Sequence, residues 1–178
     1  MLNVAALVLA AASAAQTPAL VSSAPWWEKV TVTLTGDGKA QSCKYETSLR
    51  VAPSDACEVS GDAKGLAASS DSSGSKEELT RITFERRFQP GVAAPVNANL
   101  NPADTLLGQQ VLALAIDQHG AVKACKVVAT QGDMTPRYGC DEAKTEQFEA
   151  TGGTKTAAAE PRLGFMTVLV YGHEEHVA

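Results

Sequence analysis

Four cysteines, a His-Glu-Glu-His stretch near the C-terminus and two turn aspartates are the side chains of this 178-residue chain whose types and spacing could do chemistry. Zinc held by all four cysteines would need paired ligands at close spacing, and no Cys-x-x-Cys occurs. His173 and His176 stand three apart, so they could share a metal only if the tail were helical, and the pattern is not the His-Glu-x-x-His of a zinc protease. A solvated tail is the expectation there. Asp37 and Asp117 have no second carboxylate nearby and read as turn formers, and His119 sits in the same kind of turn. Nucleophile-elbow, phosphate-loop and dinucleotide signatures are all missing, and no pair of titratable residues is placed for acid and base work. The expectation is a protein without catalysis, cofactor or metal.

The cysteines then read as disulfides, which requires an oxidising compartment. Residues 1–15, MLNVAALVLAAASAA, are uncharged, apolar from Val4 to Ala12 and end in small residues, the pattern of a secretory signal peptide. The apolar run is shorter than the roughly 20 residues that span a bilayer. A periplasmic or secreted location follows. Four cysteines allow three pairings, of which the local one joins Cys43 to Cys57 and Cys125 to Cys140. A net charge of −5, basic residues scattered apart from Arg81, Arg86 and Arg87, and 5% aromatics argue against a nucleic-acid platform.

The elements that must position these groups come as an internal repeat. VTVTLTGDGKAQSCKY and VLALAIDQHGAVKACKV each give a strand, a Gly-centred turn and a second strand bearing a cysteine. Aligning Val30 on Val111 puts Asp37 and Asp117 at the turn starts, with Gly38 and Gly120 supplying positive φ. Thr135 and Pro136 predict a helix start, on which Cys140 and Phe148 share a face toward Cys125. Leu163 to Gly172 and Leu79 to Phe88 read as closing strands. In the second of these, Ile82, Phe84 and Arg86 share one face, and Thr83, Glu85 and Arg87 the other.

The fold expected is α+β, two tandem small units of strand-strand-helix-strand type, each with an antiparallel sheet and one disulfide. The first unit spans 26–88, with helix near 53–59 and a low-complexity loop at 61–75; a linker covers 89–104; the second unit spans 105–178. Trp26 and Trp27 either cap the first core or form an exposed aromatic patch.

These residues resemble a known family, the C-terminal domain of TonB. The resemblance is carried by VLALAIDQHGAVKACKVVATQGD within residues 105–172, with a degenerate copy at 27–91 whose RRFQPG is similar to a basic-aromatic-Pro-Gly phrase of the family. The chain departs from the energy-transducing members, which carry a membrane-spanning helix and a Pro-rich spacer. The resemblance implies an exposed strand edge that binds an extended segment by strand addition. The edge expected is Leu163 to Tyr171, with Val168, Leu169, Val170 and Tyr171 as contacts. The partner expected is a protein of the cell envelope, such as an outer-membrane protein, or a second copy of the chain. A structural envelope protein whose two units only pack together is the alternative.

Overall fold

A computed structural model describes residues 20–49, 77–95, 100–151 and 160–176. The expected signal peptide, the helix near 53–59, Cys57 and the 61–75 loop lie outside them. The described residues form six strands and one helical turn: β1 (Trp26–Leu34), β2 (Ala40–Thr47), β3 (Glu77–Pro90), β4 (Asp104–Ile116), β5 (Val122–Gly132), α1 (Cys140–Ala143) and β6 (Arg162–His176). All six strands form one antiparallel sheet in the order β2-β1-β3-β6-β4-β5.

The expected α+β pair of tandem units with separate sheets is therefore incorrect; the described chain is nearly all strand. The physical reason lies in the closing strands. After β3 pairs with β1 and β6 with β4, each still presents a long row of N–H and C=O groups on its far side. They satisfy each other, from Glu77 opposite His176 to Pro90 opposite Gly164. The expected helix shrinks to a single turn, capped where the Glu142 carboxylate accepts the Gly139 N–H at 2.8 Å. So short a helix has little stability of its own. The cross-link at Cys140 and the burial of Phe148 set its length, and Phe148 leaves the helix to bridge Val21.

The repeat is real in the strand register, but not in the alignment of Val30 on Val111. Val32 faces Cys43 and Leu114 faces Cys125, so equivalent residues lie 82 apart. The same offset relates Val30 opposite Phe84 to Leu112 opposite Met166. A slip of one residue would turn every side chain to the other face. Thr35, not Asp37, takes the place of Asp117: its hydroxyl accepts the Lys39 N–H, as the Asp117 carboxylate accepts the Ala121 N–H. Gly38 (φ 79°) and Gly120 (φ 87°) are the equivalent turn glycines.

The two halves meet around a pseudo-twofold at Arg86 opposite Val168, residues that themselves stand 82 apart. Each half lends a residue to the other's core. Phe88 packs among Leu112, Leu114, Ile116, Phe148 and Met166, while Val170 packs among Val32, Leu34 and Ile82. Gly164 makes room for this exchange, since a Cβ there would lie 2.5 Å from the Phe88 ring. Gly164→Ala should therefore cost about 1–3 kcal/mol through overpacking. Because the cores are shared, tryptophan fluorescence and far-UV circular dichroism should report one denaturation midpoint; two separated transitions would show that the halves fold independently.

Candidate functional site

At the centre of the sheet Arg86 points into the otherwise apolar face that Ile82, Phe84 and Phe88 share. Its guanidinium bonds Glu28 of the neighbouring β1 and, at 2.6 Å, Glu146 from the segment after α1. The rings of Trp26 and Tyr138 lie 5.6 and 4.4 Å from it. The carboxylates are held in turn: Tyr45 donates to Glu28 at 2.8 Å and Tyr138 to Glu146 at 3.0 Å. Burial alone would lower the Arg86 pKa, but the two carboxylates outweigh it and hold the guanidinium above its ordinary value. With its side chain 22% exposed and its fork occupied, this arginine ties the halves together and offers no anion site.

On the opposite face Arg87 and Trp27 are neighbours in register and both reach solvent. The Arg87 Nε donates to Glu85, a buried carboxylate whose other oxygen accepts the Tyr171 hydroxyl at 3.0 Å. Two adjoining hollows, about 520 and 460 Å³, share Trp27 and Arg87 as walls. Trp26 is the core residue of the tryptophan pair, 3% exposed and stacked on Phe88; Trp27 is 38% exposed.

The sheet ends in β2 on one side and β5 on the other. In β5 every residue from Lys126 to Gly132 is exposed, Val127 and Val128 included, and among the described residues its ladder partner is β4 alone. Val128 is bulged: Leu112 faces Val127, Val111 faces Ala129, and Val128 faces no residue. The Cys125–Cys140 disulfide is formed and fixes this strand to α1. Closing a loop of about 15 residues removes on the order of 3 kcal/mol of unfolded-state entropy. Cys43 is disulfide-bonded too, while its expected mate Cys57 lies outside the described residues.

The predicted edge residues Val168, Leu169, Val170 and Tyr171 lie elsewhere than expected. They sit in β6, hydrogen-bonded to β3 on one side and β4 on the other, so they offer no free edge. The tail reading also changes. His173 to His176 end β6 opposite Leu79 to Glu77 and the adjoining Arg81, and His173 Nδ1 lies 3.0 Å from Asp104. The extended backbone of β6 through this stretch replaces the helical geometry a shared metal needed. Among the described residues no group of three metal-ligating side chains occurs, and no helix is long and apolar enough to cross a membrane. Sequence reading placed Arg86 on the apolar face but missed its role; the signal was a lone cation at an inward position of an alternating strand.

These features define a class: an antiparallel β-sheet domain with a closed ionic centre, one grooved face and a bare terminal strand. Comparison with protein-family models, with curated proteins and with solved structures gives no match.

Replacing Arg86 by Met should cost about 3–5 kcal/mol, because Glu28 and Glu146 would face each other uncompensated; a loss under about 1 kcal/mol in urea denaturation would contradict the tie. Burial, and then the Glu28 hydrogen bond, push the Tyr45 hydroxyl up to about 12 from the usual 10. Burial likewise raises Tyr138, with Glu146 beside it, and Tyr171, with Glu85. Groups whose folded pKa is raised contribute stability that is full below pH 10 and is lost as pH climbs through the folded values. Absorbance at 295 nm should stay flat near pH 10 and rise together with loss of the far-UV signal above it.

Proposed function

We propose that this protein is a non-catalytic binding module, periplasmic or secreted, that engages a protein of the cell envelope by strand addition along the outer side of β5. The observation that carries the reading is the bare edge itself. Among the described residues no strand pairs with the outer side of the terminal strand Val122–Gly132, which is largely exposed, so its backbone groups there are ones an extended segment can satisfy. Its disulfide keeps the strand in place, so little ordering is left for the moment of binding. The likeness of residues 105–172 to the TonB C-terminal domain supports the mode of binding, with the edge moved from β6 to β5.

Side chains on β5 narrow the occupant. Lys126 would meet like charge if two copies of this strand paired about it, whereas Lys123 is already paired with Asp117 at 3.2 Å, and the Val128 bulge bends the edge away from a flat partner. An extended segment with carboxylates toward Lys126 and apolar residues toward Val127 and Val128 suits the edge better than a second copy. A structural role is the second reading, favoured by the way β3 and β6 close each other and share both cores.

A photo-crosslinking amino acid at position 128 in intact cells separates the two. Strand addition predicts adducts confined to one contiguous, acidic segment of an envelope protein, displaced by a synthetic peptide of that segment. With the crosslinker moved to position 130, Val128→Pro should abolish the adducts and leave the far-UV spectrum unchanged, because a bulge tolerates proline. Adducts only within the chain or to a second copy of it would overturn the binding reading and favour the structural one.

A further inference from the structure

We infer that the groove on the sheet face opposite Arg86 binds the free C-terminus of a peptide, through the Arg87 guanidinium and the Gln109 side chain. Four observations converge there. The first is charge: the hollow of about 520 Å³ is lined by Pro25, Trp27, Arg87, Pro95, Gln109 and Thr167 among others, and among the described residues its lining holds one cation and no carboxylate. The second is orientation. Glu85, buried and already anchored by Tyr171, takes the Arg87 Nε, which fixes the plane of the guanidinium and, among the described residues, leaves its two terminal nitrogens for a carboxylate fork.

The third observation is an unmet acceptor. Gln109 is only 6% exposed, and among the described residues its Oε1 has no hydrogen-bond partner, which is costly for a buried carbonyl. A ligand that brings a donor beside its anionic end would satisfy it. The last residue of a peptide has both groups, a carboxylate and its own N–H one Cα away. The fourth is apolar wall: Pro25, Pro95 and the exposed ring of Trp27 offer a surface for the terminal side chain. A hollow of this size falls in the usual range for small-ligand sites, which is about 300–1,000 Å³. The groove is separate from the β5 edge and does not depend on that edge being a binding site.

The test is titration of the full chain with N-acetyl-valyl-leucine and with its C-terminal amide, followed by tryptophan fluorescence and calorimetry. The carboxylate form should bind at millimolar concentration or better, and the amide should bind about tenfold or more weakly, since it loses the charge-assisted fork. Arg87→Gln should remove that preference. Gln109→Leu, which leaves no orphan acceptor, should weaken the carboxylate form but not abolish its advantage over the amide. Circular dichroism checks that each variant folds; if Arg87→Gln does not, Arg87→Lys serves, keeping the charge and losing the fork. Equal binding of acid and amide, or no binding of either at millimolar concentration, would overturn the proposal. Tighter binding of glucuronate than of the peptide acid would overturn it as well, by assigning the groove to a carboxylated sugar.

Discussion

Arg86 is the residue on which both halves of this protein converge. It stands at the pseudo-twofold, opposite Val168, and bonds one carboxylate from each half, Glu28 and Glu146. A cation in an apolar face costs desolvation energy, offset here by two carboxylates, two tyrosine hydroxyls that satisfy those carboxylates, and two aromatic rings. The arrangement is only reached when the segment after α1 has come down on the sheet. Closure of the second half therefore depends on a residue of the first.

The consequences run outward from that centre. Pairing of β3 with β6 uses up the two edges that a strand-strand-strand unit would leave open, so among the described residues the outermost strands are the hairpin strands β2 and β5. Exchange of Phe88 and Val170 between the cores makes the sheet one packing unit, in which a change at Gly164 is felt by both halves. On the far face, Arg87 is held by a buried carboxylate but is not enclosed. Two adjacent arginines thus have opposite fates through strand alternation: Arg86 is consumed by structure and Arg87 is left to meet a ligand.

Much of the local structure was legible because it is written in short-range chemistry. The two hairpins, the positive-φ glycines, the alternation of β3 and the Cys125–Cys140 link follow from turn residues, period-two patterning and cysteine spacing. The offset of the repeat was misjudged for a physical reason. From Val111 to Ile116 strand β4 is an unbroken apolar run in which Val111 is buried as fully as Leu112, so its sequence carries no parity by which to place it. The turn aspartates added to the error, since threonine at position 35 does the work that aspartate does at 117. The helix is misplaced as well as shorter than expected: Thr135 and Pro136 do not start it, because the N–H that needs a cap is that of Gly139, which the Glu142 carboxylate accepts, and the disulfide and the burial of Phe148 limit it to one turn.

Sequence by itself determined which of the described segments become strands and where they turn, and it offered the Cys125–Cys140 link as the local one of three pairings. Only the tertiary structure decided which strands lie side by side. Hydrogen-bonding capacity along a strand edge is nearly independent of side chains, so β6 could as well have been an outer edge as the neighbour of β3. The choice was made by contacts distant in sequence, Arg86 with Glu146 and Phe88 with Phe148, which no local pattern encodes.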